Sequence, residues 1–436
     1  MPRSYKTLFD RVRSVPQLRK AWRSVLANAT KPNAAERTYA EALAFSPHAE
    51  PRIDRISREL RKQVFQFAPQ RGAPIKKSPG KYRGVVVAPI PNRIVQRALL
   101  DVLQAHPAIR ERLNAGLNFG GVPRINDDED VGVPGAAKLA NQYAKTYSHF
   151  IRTDIIKFFD NVPRDKAVNV LLKYSDCPEL SALLHAATIT ELENFALLAH
   201  HTSLFPLENI GLAQGSCLSP LVCNLYLDEF DKLMNGRGIN CVRYIDDFVI
   251  FASSERKLNA ALASASNYLS ASGLKIYDPR EHSEKAARGL TSNGFDFLGC
   301  NIRPDRVIPS GKNRGRLLDK LHGITDHSLK SYSDSLDALR SRRTLTHTLW
   351  KIGETIRGWG NTYSFCTDDG IRHGLDQKID RLVESYLKRY RTILQGCSVI
   401  DRHRLLGIWR LTDCLRDEEF IAFVTDKTTR GKTATS

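Results

Sequence analysis

Residues 240–251 read NCVRYIDDFVIF, and the fold turns on how Asp246 and Asp247 come to lie inside that run. Apolar stretches stand on both sides of the acidic pair, ending in Tyr244-Ile245 before it and continuing as Phe248-Val249-Ile250 after it. That is the composition of a buried strand. Two adjacent carboxylates in such a setting are costly to bury unless a cation compensates them. A second apolar strand candidate, HFIRTDI at 149–155, also ends in an acid, Asp154. Pairing the two segments would bring the three carboxylates together. Such a cluster suits Mg²⁺, which takes hard oxygen ligands along with water and substrate phosphates. A pair of such ions, roughly 3.5–4 Å apart, is what phosphoryl transfer to a hydroxyl requires.

Outward from that centre the chain alternates in character. Residues 1–65 read as mainly helical, with basic residues among Leu, Val and Ala. Residues 66–92 are rich in Pro, Gly and Lys, and within them GVVVAPI has the look of a short strand between turn signals. Helical spacing follows over Arg93–Leu103, and 116–135 reads as a loop. Between the two acidic segments lie helical stretches at 163–174 and 178–200 and a Gly/Ser-rich turn, GLAQGSCLSP. The helix pattern PLVCNLYLDEFDKLM follows, then a helix at 256–272 and a hairpin near 292–308. From about residue 313 the pattern is all-helical, and the last dozen residues, TDKTTRGKTATS, are polar and expected to fray. Helices mixed with strands in this way predict an α+β fold.

Net charge is +18, and its placement matters more than its size: +15 over residues 1–120, −5 over 121–300 and +8 over 301–436. Basic outer segments around an acidic middle suit a protein that grips phosphate outside and binds metal within. The eight cysteines form no CxxC pair, which argues against a zinc ribbon or a disulfide framework. No run is long enough to span a membrane and the basic N-terminus lacks the apolar core of a secretory signal. A cytoplasmic protein without membrane contact is the expectation.

The motifs resemble a known family. Tyr244-Ile245-Asp246-Asp247 looks like the YxDD box of reverse transcriptases, and Thr153-Asp154-Ile155-Ile156-Lys157-Phe158-Phe159 like their first catalytic motif. Gln214-Gly215-Ser216-Cys217-Leu218-Ser219-Pro220 followed by Asn224-Leu225-Tyr226-Leu227 is similar to their QGxxxSP motif. Phe297-Leu298-Gly299 resembles the primer-grip hairpin. Lys81-Tyr82-Arg83 with Asn92-Arg93-Ile94-Val95-Gln96 resembles the fingers of bacterial enzymes of the group II intron and retron-like lineage. Arg357-Gly358-Trp359 with Asn361 and Tyr363 resembles their thumb. The matches run in the family's order across about residues 70–390.

The resemblance implies a right hand: an N-terminal extension at 1–65, fingers at 66–148, palm at 149–310, thumb at 311–396 and a tail at 397–436. It implies RNA-directed DNA polymerisation with two Mg²⁺ (or Mn²⁺) ions on Asp154, Ile155, Asp246 and Asp247. Lys76, Lys81 and Arg83 would meet the triphosphate, Gln214 and Gly215 the nucleotide, and Phe159 would stand under the sugar as a steric gate against a 2′-hydroxyl. Phe297, Leu298 and Gly299 would grip the primer, and Arg357 and Trp359 would face nucleic acid. Lys285 also matches a family lysine at loose spacing, although a surface lysine is the plainer reading. Trp359 reads more readily as thumb core than as a base-stacking platform, and the adjacent His200 and His201 lack acidic partners at ligand spacing.

Absence of a Cys/His-rich module after the thumb, of the diversity-generating variant of the QG motif and of the retron signature leaves a stand-alone enzyme as the expectation. Its partners would be a non-coding RNA template, dNTPs and the DNA product, plausibly in antiphage defence. Two alternatives stay open: a maturase-like RNA-binding splicing factor and an RNA-directed RNA polymerase. The intact acidic triad opposes the first; Phe159 opposes the second.

Overall fold

The computed structural model describes residues 7–31, 34–78, 80–113, 115–124, 131–207, 209–236, 238–281, 285–330 and 333–414. Four helices come first: α1 (Leu8–Val12), α2 (Val15–Ala29), α3 (Glu36–Phe45) and α4 (Ala49–Arg61). Ser14 caps α2 by accepting the Gln17 amide, and Pro16 sits in the first turn, where its missing N–H has no intrahelical partner to lose. Phe9, Leu18, Trp22, Ile53 and Leu60 from these helices share one core with Ile94, Leu99 and Leu103.

The segment rich in Pro, Gly and Lys is a hairpin of β1 (Arg71–Ser78) and β2 (Lys81–Val87), where the sequence predicts a strand only in its second half. A two-stranded ribbon tolerates Pro74 because it has edges on both sides. The Asn194 side chain serves β1 as a substitute neighbour, donating to the Gly72 carbonyl at 2.9 Å and accepting its N–H at 2.8 Å. Helices α5 (Ile90–Gln104), α6 (Pro107–Leu113) and α7 (Gly132–Thr146) follow. Of the loop predicted at 116–135, residues 125–130 lie outside the described residues and the last four already belong to α7.

Then come β3 (His149–Asp154), α8 (Phe158–Asn161), α9 (Arg164–Ser175), α10 (Ser181–Thr188) and α11 (Phe195–Leu198). The helix predicted through 178–200 is broken after Thr188. There the Gln70 main chain bonds Glu191 and Glu193 at 2.7 and 2.8 Å, so pairing with the hairpin strand overrides helical spacing. Helices α12 (Ser219–Tyr226) and α13 (Asp228–Leu233) lead to β4 (Ile239–Tyr244) and β5 (Asp247–Ala252), then α14 (Glu255–Ala271), β6 (Ala287–Leu290) and β7 (Phe295–Phe297). Residues 240–251 are therefore a hairpin and not the single strand predicted, with the acidic pair at its turn. The main sheet is antiparallel in the order β4-β5-β3-β6, and its inner strands bury Ile151, Phe248 and Ile250 completely. Helix α14 packs on β3 and β5, and α7 on β4 and β5.

Two compact units result, one of Met1–Leu298 with Ile302–Asp305, the other of Gly299–Asn301 with Arg306–Ser436. Strand β8 (Cys300–Ile302) spans the boundary, and β9 (Val307–Pro309) opens the second unit. It continues as α15 (Gly311–Leu329), α16 (Ser335–Arg340), α17 (Leu345–Thr362), α18 (Asp369–Gln395), α19 (Val399–Leu406) and α20 (Leu411–Cys414). One apolar cluster joins Leu317, Leu321, Ile352, Ile379 and Leu382; another joins Leu329, Ala338, Tyr386, Tyr390 and Leu405. Tyr390 donates to the Leu405 carbonyl at 2.8 Å, so the buried phenol is satisfied. The predicted frayed end lies outside the described residues. Small antiparallel sheets flanked by helices give the α+β class predicted. No helix among the described residues is long and apolar enough to cross a membrane.

Candidate active site

Strands β3 and β5 pair so that Asp154 lies directly opposite Asp247. Opposed residues on paired strands project to the same face, so these two carboxylates share one surface of the sheet. The Ile155 N–H donates to the Asp246 carbonyl at 3.0 Å, which ties the β4–β5 turn to the end of β3. Ile245, just before Asp246, has φ +60°. A β-branched residue in the left-handed region costs about 1–3 kcal/mol, so the turn is held by its surroundings.

The carboxylates titrate abnormally. Burial, then the Asp246 charge, pushes Asp154 up to about 6, against Lys285, Arg152 and Lys77. Burial, then Asp154, pushes Asp247 up to about 7, against Arg152 and Lys285. Asp246 is also raised by burial, and Arg83, Lys285 and Lys77 oppose that shift. Oδ1 of Asp154 and Oδ1 of Asp247 are buried with no hydrogen-bond partner among the described residues. Buried anionic oxygens without donors are what a bound cation would satisfy. Among the described residues no three His, Cys, Asp or Glu side chains already close around a single point. That arrangement still suits Mg²⁺, which uses one or two carboxylates and fills its shell with water and substrate phosphate. Ile155 is apolar and buried, so only its main-chain carbonyl is available as a ligand.

Cations stand beside the acids, and they are not all the predicted ones. Lys285 Nζ is 3.8 Å from Asp154 Oδ2, so the lysine read as a plain surface residue is at the site. Of the two adjacent lysines on β1, Lys77 is the one whose charge acts on Asp154 and Asp246, less strongly than that of Lys285. It occupies the irregularity between Lys76 and Ser78, whereas Lys76 pairs regularly with Tyr82. Burial, then Arg83 and Lys285, holds the Lys77 ammonium below its ordinary range. Arg83 acts electrostatically on Asp246, while Lys81 pairs with Ser78 at the hairpin end. Arg152 is a further addition, two residues before Asp154 on β3 and facing Asp247 electrostatically. Alternation makes its placement inevitable once the register is known, but no spacing in the sequence announces it.

Phe159 sits in α8, half-buried, with its carbonyl accepting the Leu212 N–H at 2.7 Å. Gln214 donates from Nε2 to Asp160 Oδ1 at 3.2 Å, and its carbonyl accepts the Val86 N–H at 2.7 Å. The QG segment is thus strung between α8 and β2. At Gly215 φ is +114°, and an added Cβ would lie 2.4 Å from the Val86 carbonyl oxygen. No side chain fits there.

Phe297 is buried in the first unit, and the next two residues, Leu298 and Gly299, both have positive φ. In the second unit the Gly299 carbonyl accepts from the Ser310 N–H and from Asn313 Nδ2, each at 2.9 Å, and Asn313 also donates to the Tyr363 hydroxyl at 2.7 Å. Trp359 lies against Tyr363 with ring centres 4.7 Å apart and packs on the cluster of Leu317 and Ile352. It also lines an open groove of about 500 Å³ with Arg316, Lys320 and Lys351. Arg357 is largely exposed and pairs with Glu354 at 2.9 Å. The His200 and His201 rings lie 4.0 Å apart, tilted by 47°, and His201 lies against Tyr82.

Residues 75–302 match the family model described as reverse transcriptase (RNA-dependent DNA polymerase). The chain belongs to the reverse transcriptase family. It is 27% identical over 192 residues to the putative COX1/OXI3 intron 2 protein of Saccharomyces cerevisiae, covering 43% of this chain and 20% of that protein. Protein YkfC of Escherichia coli is 23% identical over 337 residues, 69% of this chain and 81% of its own. Among solved structures, a partial Cas6-RT-Cas1–Cas2 complex matches over 61% of this chain and 43% of that chain, at 22% identity and a TM-score of 0.33. Telomerase from Candida tropicalis bound to a telomeric RNA fragment matches over 79% of this chain and 60% of its own, at 14% identity and a TM-score of 0.38. The chain thus spans about a fifth of the yeast intron protein. The three acidic residues, Phe159, Gln214, Gly215, Phe297 and Leu298 all lie inside the matched span, whereas Arg357 and Trp359 fall beyond it.

Proposed function

We propose that this chain is an RNA-directed DNA polymerase that adds dNTPs to a 3′-hydroxyl. The observation that supports it most is the register of β3 and β5, which opposes Asp154 to Asp247 with Asp246 tied to Ile155. Asp154, Asp246 and Asp247, with the Ile155 carbonyl, would hold two Mg²⁺ ions, or Mn²⁺ in their place. When bound, these ions supply an activated attacking oxygen and charge neutralisation at the leaving pyrophosphate. The protein's own groups do the rest. Lys77, Arg83 and Lys285 set positive charge beside the carboxylates, where a triphosphate would otherwise be repelled. Lys76 and Lys81 add to the same basic edge further along the hairpin. Gly215, with no side chain, lets the main chain close against β2, and Gln214 beside it would meet the incoming nucleotide. Phe159 presents a ring where a ribose 2′-hydroxyl would clash. In the second unit, Arg357 and the Trp359 groove would offer cations and an aromatic face to the nucleic-acid backbone. Phe297 and Leu298 of the first unit, with Gly299 next in the chain, would meet the primer.

The template in this reading is a dedicated non-coding RNA, and the biological setting is antiphage defence. Purified protein with its co-purifying RNA, labelled dNTPs or rNTPs and Mg²⁺ tests the chemistry, beside Asp246→Ala/Asp247→Ala. Incorporation of dNTPs that the double variant abolishes is the expected result, and sequencing the product identifies the template. Bound RNA with no incorporation favours the splicing-factor alternative, and a preference for rNTPs the RNA polymerase. Phage plating on cells carrying the wild-type or the double variant tests the setting; equal plating on both overturns it.

A further inference from the structure

Arg243 is 0% exposed, the largest fully buried side chain among the described residues, and it stands one residue before the YIDD turn. All three of its guanidinium nitrogens donate hydrogen bonds. Nε and Nη2 donate to the two oxygens of Asp231 at 2.6 and 2.5 Å, and Nη1 donates to Asn224 Oδ1 at 3.2 Å and to the Ile245 carbonyl at 2.9 Å. Asn224 in turn donates to the Gly120 carbonyl at 2.6 Å. Gly120 presses on the same turn: a Cβ there would lie 2.5 Å from Ile245 Cγ1 and 2.9 Å from the Ile245 nitrogen. The Arg243 main chain is fixed too, donating to the Leu117 carbonyl at 3.1 Å and accepting the Phe119 N–H at 3.0 Å.

A buried ion pair adds little net stability, and two well-packed apolar side chains serve a core as well. What an apolar pair lacks is a donor for the Ile245 carbonyl. That carbonyl belongs to the peptide entering Asp246, and the peptide leaving Asp246 is held by the Ile155 N–H. Both peptides flanking one acidic residue are therefore pinned, although the left-handed Ile245 between Arg243 and Asp246 opposes that geometry. Resting on the polymerase reading above, we infer that Arg243, oriented by Asp231 and Asn224, is a positioning residue that fixes the Ile245–Asp246 peptide and so aims the Asp246 carboxylate.

Removing Arg243 alone strands a buried Asp231, so the informative variant is Arg243→Met/Asp231→Leu, which removes both charges. Amide exchange at Ile155 reports whether the Asp246 carbonyl stays in place, independently of any bound metal. In the paired variant it should rise by about tenfold or more, while the unfolding temperature stays within a few degrees. The kcat for dNTP addition should fall roughly 10- to 100-fold with KM changed less than about threefold. Wild-type exchange at Ile155 and wild-type kcat in the folded variant would reduce the network to packing and overturn the inference. Arg243→Lys keeps a cation beside Asp231 but cannot span both acceptors, and gives the same comparison if the apolar pair does not fold. A wild-type protein that incorporates no nucleotide would sink the polymerase reading, and exchange at Ile155 would still decide the role of Arg243.

Discussion

Asp247 is destabilising when nothing is bound to it. Its folded carboxyl titrates near 7 against an ordinary 3.8, so the folded chain holds a proton that the unfolded chain has released. Between those values the folded state binds more protons, and stability falls as pH rises through the window. In EDTA at pH 8, Asp247→Asn should be more stable than wild type by on the order of 2 kcal/mol, with the gap closing toward pH 4. Urea unfolding at both pH values checks this; a less stable Asn variant at pH 8 would show that Arg152 and Lys285 dominate the site. Phe159→Ala should raise rNTP use relative to dNTP by about tenfold or more in matched kinetics. Lys77→Met should raise the KM for dNTP by more than Lys76→Met, and equal effects would place the two lysines in the same role. At this scale Asp246 and Asp247 were legible because adjacent carboxylates inside an apolar run are costly to bury without a cation to offset them, and Asp154 because its motif resembles the family's first catalytic motif. Lys77 and Arg152 were not, because a strand's register decides which of two neighbouring side chains faces the site, and register is set by partners far along the chain.

Among the elements, the β1–β2 hairpin was only half legible. Its first strand carries Pro74 and Gly72, poor strand formers, and exists because Asn194 and Glu191–Glu193 supply the hydrogen bonds its edge lacks. Asn194→Ala should cost about 1–2 kcal/mol by leaving both Gly72 groups unserved. Thermal unfolding together with proteolysis at the hairpin would show whether the loss is local. The QG segment makes the opposite point, since its glycine was singled out from the sequence and the structure supplies the reason. Gly215→Ala must push β2 away by more than its Val86 bond allows, so dNTP incorporation should drop by about tenfold or more in a protein that still folds. Wild-type activity in that variant would mean the segment never approaches the nucleotide. The hairpin around Asp246 escaped the sequence reading because two acids at a tight turn look like an interruption within one strand.

Over the whole molecule, the α+β class follows from pattern, while the division of the chain near residue 299 depends on contacts that no local pattern carries. The excess of basic residues outside 121–300 predicts RNA binding that weakens steeply with salt. Six or more phosphate contacts would cost about a thousandfold in affinity between 50 and 200 mM salt. Fluorescence anisotropy on the co-purified RNA would measure the slope, and a flat response would show that the charge serves solubility only. The order β4-β5-β3-β6 also sets a timetable for synthesis. His149–Asp154 leaves the ribosome before either strand that will flank it, and its second neighbour ends at Leu290. At usual elongation speeds that wait is about ten seconds. Throughout it the basic residues of 1–120 are already made while the sheet that carries Asp154 and Asp247 lacks its last strand, so the charge that attracts polyanions precedes the finished sheet.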